Sequence, residues 1–362
     1  MKMKIKTPTA FAAFLALAGA AAAAAPAPRS ATFEARNEFK ITVPEGAKKI
    51  RMWFAMPQDD PAQKVKGFKV EAPFPHQVTT DSAGNKQVYF ELDAPAQKQF
   101  AVVETFTVTR REQLSGVDAA KAKSITNADR ERLKEFLAPN TYVVINDRIR
   151  TLAKGIVGTE ENPVVVARKL YDWELKNIDY WVKDPANKKA SPVGSTEYCL
   201  NTGTGNCTDF HSLWASLARA RGIPTRIIYG SFFKAELDGQ DADQSYHCWP
   251  EFFVPGMGWV PHDVAVADIF SGDFKTTPEN DKLVRLTTGD GYHGADQSKV
   301  DYYFGNIDER RVTWSRGRDL TLSPKQDGGS VNALPKAYVE VDGKVGVEKE
   351  VWTRKLTFKE KK

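Results

Sequence analysis

The sequence predicts an α+β protein in which an all-β, sandwich-like domain precedes a region of helices and a later antiparallel sheet. Hydrophobic residues alternate with period two in several stretches between residues 31 and 112, which is the spacing of strands buried on one face. From about residue 145 the apolar residues recur at helical spacing, and strand-like segments return after residue 225. The order of these patterns indicates two regions of different class.

The N-terminal β-domain is predicted over residues 31–112. Its clearest strands are FKITV (39–43), QVYFEL (87–92) and FAVVETFTVT (100–109), separated by turn formers such as Pro44-Glu45-Gly46. Short alternating strands with frequent turns are typical of an antiparallel sandwich.

The first 25 residues have the order of a secretory signal peptide: three lysines, an apolar run from Phe11 to about Ala18, then alanines that offer cleavage sites. The run is too short to span a bilayer, and retention as an uncleaved anchor is the alternative. Cleavage predicts a periplasmic or secreted protein and lowers the formal net charge from +5 by three. A nearly neutral protein gives no electrostatic reason to expect nucleic acid, and no later segment is apolar enough for a transmembrane helix.

Residues 113–140 are predicted to be a helical linker, and residues 141–362 the second domain. Asn162-Pro163 has the form of an N-cap and first turn for the helix VVVARKLYDWELKN. The strand-like segments TRIIYGSFF, YHCWPEFFV and MGWVPHDV follow, and the hairpin YVEV-DG-KVGV near the C-terminus is assigned to the same domain.

Cys207 stands where a glycine-containing loop turns into a helix, in GTGNCTDFHSLWASLARARGIPTR (203–226). Unpaired N–H groups and the helix dipole favour negative charge at a helix start, and the thiolate is the nucleophilic form of cysteine. Gly203 and Gly205 are expected to let a substrate carbonyl approach the backbone, and the Cys207 N–H could donate to a developing oxyanion. The pattern therefore predicts a nucleophile.

Two other interpretations of Cys207 stand beside this one. Buried structural cysteines are common, and His211, one turn along the helix, could suggest a metal site. A zinc site would need CxxC or HxxxH spacing, which the sequence lacks, so no metal and no cofactor are predicted. His211 is expected to lie on the surface.

A base and its orienting carboxylate are predicted downstream, in SYHCWPEFFVPGMGWVPHDV. His247 opens one strand, and a turn leads to a second strand that ends at Asp263, so a hairpin would make the two neighbours. A nucleophilic thiol needs such a base, and the base needs a partner that fixes its tautomer. His262 is expected to point to the opposite face of its strand.

The stretches GNCTDFHSLWASLARARGIPTRIIYG, HCW–E and GWVPHDV resemble the transglutaminase-like superfamily, whose core is similar to papain-type cysteine peptidases. YFGNIDERRVTWSRGRDLTLSP is also similar to the C-terminal part of bacterial members. The resemblance covers roughly residues 145–340 and implies a papain-like transglutaminase core, with helices packed on an antiparallel sheet. It further implies that Cys207 is the nucleophile, His247 the base and acid, and Asp263 the orienter.

Some positions depart from that resemblance or are left open by it. Cys248 stands where the family usually has alanine, and Pro250 is expected to distort its strand. Trp173 and Trp181 are the candidates for the second oxyanion donor or for a substrate groove. A Cys199–Cys248 disulfide is one interpretation of the remaining cysteines, and two buried thiols are the other.

These residues predict an exported thiol enzyme that acts on amide bonds of a protein or peptide, such as an envelope or cell-wall peptide. A Cys207 acyl-thioester would be resolved by water, giving peptidase or amidase activity, or by an amine, giving transglutaminase activity, with hydrolysis favoured. The alternative is a non-catalytic transglutaminase-like binding module of the cell envelope, in which the thiol pKa would stay near about 8.5.

Overall fold

The computed structural model of the protein describes residues 27–289 and 291–362, and the predicted signal peptide lies outside the described residues. In these two ranges, no helix combines the length and apolar character that a membrane crossing requires.

The helices and strands of the described residues run as follows. The helices are α1 (Asn127–Arg132), α2 (Asp147–Val157), α3 (Pro163–Asn177), α4 (Thr196–Thr202), α5 (Cys207–Ala220), α6 (Val264–Phe270), α7 (Pro278–Thr288) and α8 (Gln297–Tyr302), with short 3-10 turns between some of them. The strands are β1 (Ser30–Thr42), β2 (Lys49–Ala55), β3 (Gln63–Glu71), β4 (Gln77–Thr80), β5 (Lys86–Asp93), β6 (Gln99–Arg111), β7 (Gln113–Leu114), β8 (Asp179–Tyr180), β9 (Thr204–Gly205), β10 (Thr225–Phe232), β11 (Tyr246–Val254), β12 (Gly258–Pro261), β13 (Asn306–Ile307), β14 (Arg311–Arg316), β15 (Ala337–Val341), β16 (Lys344–Val345) and β17 (Trp352–Lys361).

The N-terminal region is a sandwich of two antiparallel sheets, as the alternating pattern predicts. One sheet has the order β17-β1-β6-β3 and the other β16-β15-β2-β5-β4. Side chains from both sheets meet in one cluster between them, among them Phe39, Phe54, Phe90 and Val102. Alternation therefore buries one face of each strand, and the predicted fold class is confirmed for this part of the chain.

The last strands of the chain complete this sandwich. β15 pairs with β2 and β17 pairs with β1 over ten residue pairs. The predicted hairpin turn forms at Asp342-Gly343, with positive φ at both residues. Its assignment to the core domain of residues 141–362 needs correction, because its hydrogen bonds and the buried Trp352, Leu356 and Phe358 belong to the N-terminal sheets. Period-two alternation predicts a strand but not its neighbour.

The second region packs helices on an antiparallel sheet of order β12-β11-β10-β14, which confirms the predicted α+β core. Asn162 caps α3 by accepting from Val164 N and Val165 N, with Pro163 in the first turn as predicted. Pro250 lies inside β11 without a register shift against β10. Its carbonyl faces the β12 side, where it accepts from His262 N, so the missing N–H falls outside the β10 ladder.

Helix α5 lies at the centre of this region. Every residue from Cys207 to Arg219 is buried, because α2, α3, α4, α6 and the sheet all contact this helix. The expectation that His211 lies on the surface is wrong, since the side chain is fully buried. The apolar spacing of α5 predicts one buried face correctly, but the helix is covered on its polar face as well.

One buried cluster links the regions, and two aromatic contacts within it join them directly. Phe106 of the sandwich packs edge-on against Trp314 of β14, with ring centroids 5.6 Å apart. Phe233, which follows β10, stacks on Phe358 of β17 at 4.3 Å. The sandwich is therefore packed directly against the sheet that carries the candidate site.

Candidate active site

Cys207 is the first residue of α5. The Asn206 side chain caps the helix by accepting from Thr208 N and Asp209 N, and Asp209 accepts in return from Asn206 N at 3.0 Å. This reciprocal cap satisfies the first helical N–H groups and fixes the direction in which the helix begins. The Cys207 sulfur therefore sits at the positive end of a rigid, buried helix.

The Asp209 carboxylate also holds the loop that precedes the helix. It accepts from Ser191 N at 3.0 Å and from Ser195 N at 2.7 Å. A β-carbon on Gly205 would lie 2.4 Å from Asp209 Cβ, and Gly203 ends α4 with a left-handed φ of 66°. The local structure therefore accounts for both glycines: Gly205 lies against Asp209, and Gly203 has a left-handed φ. The sequence had suggested instead that they let a substrate carbonyl approach the backbone.

The structure brings together Cys207, His247 and Asp263. β11 and β12 form the expected hairpin, and His247 Nε2 lies 2.7 Å from Asp263 Oδ2. Cys207 and His247 are close enough for the charge of each to shift the pKa of the other. Cys207 and His247 are each 4 % exposed and Asp263 is fully buried. The three side chains therefore lie at one place beside the start of α5, and the roles that the resemblance implies for them stay a prediction.

The charged groups around Cys207 and His247 shift the pKa values of both residues towards their charged forms. A hydrogen bond from Cys248 and the nearby His247 ring hold the pKa of the Cys207 thiol well below its ordinary value, despite burial. Burial alone would lower the pKa of His247, but the Asp263 carboxylate and the Cys207 thiolate outweigh it and raise that pKa. The pair is therefore favoured as thiolate and imidazolium, the reactive form of a catalytic thiol.

Asp263 has partners that sequence reasoning missed. Arg311 of β14 donates to Asp263 Oδ2 at 2.7 Å and to Asp308 Oδ2 at 2.8 Å, and it is fully buried. Asp263 also caps α6, accepting from Val266 N at 3.1 Å. Although burial opposes ionisation, His247 and Arg311 hold the pKa of Asp263 well below its usual range. The only sequence signal for Arg311 was its place in YFGNIDERRVTW.

The two tryptophans named as oxyanion or groove candidates lie in different elements. Trp173 is on α3 and Trp181 follows β8, and both are half-buried against the main core. The residue before Trp181 reaches the site: the Tyr180 hydroxyl accepts from Cys207 N at 3.1 Å. Burial keeps the pKa of Tyr180 well above its usual value, so its hydroxyl stays protonated and can donate. Tyr180 was missed because IDYWV carries no chemical motif.

The other two cysteines are free, and so is Cys207. Cys199 is fully buried in α4. The Cys248 sulfur lies 3.2 Å from His211 Nδ1 and 3.6 Å from Thr208 Oγ1. In residues 27–289 and 291–362, no group of three or more histidine, cysteine, aspartate or glutamate side chains is arranged to hold a metal ion.

The candidate site thus has a cysteine at the start of a buried helix, a histidine on an antiparallel strand and an aspartate at the N-cap of α6. Residues 150–264 match the model of the transglutaminase-like superfamily. This part of the chain is therefore a transglutaminase-like domain, and the resemblance noted in the sequence is confirmed.

Individual proteins are also similar to this chain. The chain is 26% identical over 339 residues to an uncharacterized protein of Haemophilus influenzae, covering 86% of both chains. It is 27% identical over 124 residues to a protein-glutamine gamma-glutamyltransferase of Pseudomonas aeruginosa, covering 33% of this chain but 18% of that relative. A solved structure of a candidate cysteine protease from Cytophaga hutchinsonii shares the fold. It has a TM-score of 0.54 and 17% identity, and the match covers 91% of this chain and 98% of that one.

Proposed function

We propose that this protein is an exported thiol enzyme that cleaves or transfers amide bonds through an acyl-thioester on Cys207. The observation that carries the proposal is the row formed by the Cys207 thiol, the His247 imidazole and the Asp263 carboxylate at the start of α5. Such a row generates a thiolate at neutral pH and supplies the proton for the leaving group.

In the acylation step the Cys207 thiolate attacks the carbonyl carbon of the amide. The carbonyl π electrons move to oxygen, and the resulting oxyanion collapses as the C–N bond breaks. The His247 imidazolium gives its proton to the departing nitrogen. Asp263, held by Arg311, keeps the Nε2 side of His247 occupied, so the Nδ1 side faces the sulfur.

The oxyanion is stabilised by the Cys207 N–H and by the Tyr180 hydroxyl. The two atoms are 3.1 Å apart, close enough for one oxygen to lie within hydrogen-bond distance of both. An incoming oxyanion competes with Tyr180 for the backbone N–H and accepts the phenol proton in a hydrogen bond. Tyr180 takes over the role that the sequence suggested for Trp173 or Trp181.

In the deacylation step neutral His247 removes a proton from the second nucleophile. Attack by water releases an acid, which gives peptidase or amidase activity, whereas attack by a primary amine forms a new amide. We favour hydrolysis because water is abundant. The Pseudomonas relative is named for glutamine acyl transfer, which supports including an amine in the test.

The proposed substrate class is a protein or peptide amide, and the signal-like N-terminal sequence supports a location in the periplasm or outside the cell. An envelope or cell-wall peptide fits that location. The alternative function is a non-catalytic binding module. The lowered pKa of the Cys207 thiol argues against a binding module, because binding alone does not require a stabilised thiolate.

The test is peptide-mapped labelling with a chloroacetamide-capped peptide, followed by turnover of amide substrates. The wild type, Cys207→Ala and the matched control Cys199→Ala are incubated with a peptide library and a fluorescent primary amine. We expect labelling of Cys207 and amide turnover in the wild type and Cys199→Ala, and neither in Cys207→Ala. Equal turnover by Cys207→Ala, or a native thiol that ionises only near pH 8.5 without any turnover, would overturn the proposal.

A further inference from the structure

A cavity of about 280 Å³ lies on the face of the β12-β11-β10-β14 sheet that is turned away from α5. Alternate residues of β11 separate the two faces: Cys248 and Phe252 pack into the cluster that contains α5, whereas Trp249 belongs to a different cluster. The loop between β2 and β3 of the sandwich closes the other side of the cavity. We call it the sheet-face cavity, and its polar lining includes Asp60, Arg226, Trp249, Glu251, Thr313 and Arg316.

Two buried groups in this lining have no hydrogen-bond partner among the described residues. They are the indole Nε1 of Trp249 and the hydroxyl of Thr313, and the two residues are 0 % and 1 % exposed. The benzene end of the indole lies against Gly230, where a β-carbon would be 2.8 Å away, so Nε1 is on the opposite edge of the ring. Thr313 is the β14 partner of Gly230, so its side chain projects from the same face of the sheet as the indole. Folded proteins rarely leave a buried N–H or O–H without an acceptor, and both groups therefore indicate an acceptor in the cavity.

A buried arginine lies behind the same wall. Arg110 of β6 donates to Asp60 at 3.2 Å and to Gln113 at 2.5 Å, and both of these residues line the cavity. Its Nε has no hydrogen-bond partner in residues 27–289 and 291–362. Burial lowers the pKa of Arg110 even though three carboxylates act in the opposite direction: Asp60, Glu251 and Asp308. The positive charge of Arg110 is therefore only partly compensated.

The ionised groups around the sheet-face cavity carry an excess of positive charge. Asp308 is paired with Arg311 and does not belong to this set. Three guanidinium groups then face two carboxylates: Arg110, Arg226 and Arg316 against Asp60 and Glu251. One negative charge would balance the set, and a charge in a partly buried site interacts more strongly than it does in water.

Arg316 is the cation that has room to bind a ligand. Arg226 is fixed by two bonds to one oxygen of Glu251, at 2.5 and 2.7 Å. Arg316 lies 3.5 Å from Asp60, and 22 % of its side chain is exposed. Its planar fork of N–H groups matches the two oxygens of a carboxylate. The lining also has an apolar part, which is formed by Ile228, Met257 and Trp259.

We propose that the sheet-face cavity binds a small organic anion that carries one carboxylate on an apolar body. Arg316 pairs with the carboxylate, the Trp249 N–H and the Thr313 hydroxyl donate to its oxygens, and the apolar part of the lining covers the body. Water can satisfy the two neutral donors, but it brings neither a negative charge nor apolar surface. The cavity lies across the sheet from α5, so the inference does not depend on the proposed thiol chemistry.

The experiment measures binding of 3-phenylpropanoate to the full chain by isothermal titration calorimetry at neutral pH. This probe has one carboxylate and an aromatic body but no amide, so it is not a substrate of the proposed reaction. We expect a Kd of about 0.1 mM, the scale for a ligand of about eleven non-hydrogen atoms. The matched alcohol 3-phenylpropan-1-ol should bind about tenfold more weakly, because it has the same body without the charge.

Variants then locate the bound probe. Arg316→Gln should weaken binding about tenfold, because the charged partner is lost. Thr313→Val and Trp249→Phe should each weaken it about threefold, because each removes one neutral donor and keeps a similar shape. Arg148→Gln, on the exposed side of α2, is the matched control and should bind as the wild type does. Cys207→Ala should also bind as the wild type does, which separates the cavity from the candidate active site.

Three results would each overturn the inference: no binding to the wild type, equal affinity for the alcohol, or unchanged affinity in both Arg316→Gln and Thr313→Val. Loss of binding in Cys207→Ala would assign the anion to the candidate active site and overturn it as well. Circular dichroism checks the fold of each variant, and the nearly isosteric Thr313→Val keeps the test decisive if Trp249→Phe does not fold. Amide turnover is measured on the same samples. Binding without turnover leaves this inference standing while the proposed function fails, and turnover without binding has the opposite meaning.

Discussion

Replacing Arg311 with methionine should destabilise the protein strongly, because this side chain is the fully buried counter-ion of two carboxylates. It donates to Asp263 at 2.7 Å and to Asp308 at 2.8 Å, and its guanidinium lies 4.1 Å from the centre of the Phe232 ring. Methionine fills a similar volume but leaves the Asp263 carboxylate with one cationic partner fewer in a site without solvent.

The size of the effect follows from burial. Removing one partner of a buried ion pair typically costs about 3–5 kcal/mol, since the other charge stays desolvated. Arg310, the next residue, is the matched control. Its ion pair with Glu360 is partly exposed, with 21 % and 29 % of the two side chains accessible, and such pairs contribute about 1 kcal/mol or less. Arg311→Met should therefore unfold at clearly lower urea concentration than Arg310→Met.

Activity gives a second readout. Without Arg311 the Asp263 carboxylate is no longer held against Nε2 of His247, and displacement of a catalytic group by about 1 Å can cost about 10²-fold in rate. Urea unfolding followed by tryptophan fluorescence, together with amide turnover, measures both effects. If Arg311→Met unfolds within about 1 kcal/mol of Arg310→Met and keeps full turnover, the view that Arg311 supports the site is refuted.

Three further outcomes follow from the same geometry. The pKa of Cys207 is lowered and that of His247 is raised. Turnover should therefore rise as Cys207 ionises, with a midpoint below about pH 8.5, and fall as His247 loses its proton, with a midpoint above about pH 6.5. A single rise near pH 8.5 would contradict the ion pair. Gly205→Ala should cost roughly 1–3 kcal/mol in urea unfolding, because the new methyl group meets Asp209 at 2.4 Å, whereas Gly155→Ala in α2, with open space around it, should cost nothing. Hydrogen peroxide should convert Cys207 to a sulfenic acid from which the Cys248 thiol displaces water, giving a Cys207–Cys248 disulfide in peptide mapping; a crosslink through Cys199 would contradict the geometry.

Local signals predicted the parts of the site that local structure determines. The glycine-containing loop before Cys207 predicts where α5 begins, and a turn at residues 255–258 predicts the hairpin. That hairpin brings the start of β11, with His247, near the end of β12, which Asp263 follows. Each inference needs only residues close in sequence, which is why the sequence was sufficient.

Contacts between distant elements could not be predicted in this way. Arg311 reaches Asp263 from β14, and Tyr180 reaches Cys207 from the strand after α3. His211 has the sequence context of an exposed helical residue, but the structure buries it. The C-terminal hairpin was predicted as a hairpin, yet its pairing with β2 depends on an edge more than 280 residues earlier. Hydrophobic periodicity carries no information about which element covers a given face.

The buried charges explain how the site can hold a thiolate at all. Arg311 pairs with Asp263 and Asp308, so the carboxylate that orients His247 keeps a cationic partner when His247 is neutral. Moving a proton from Cys207 to His247 then creates no net charge, and its cost is limited to separating two charges that remain in contact. The helix N-terminus stabilises the negative member of that pair, while Asp263 stabilises the positive one. Because the groups that stabilise each charge come from α5, β11, β12 and β14, the thiolate is a property of the assembled core and not of the cysteine motif alone.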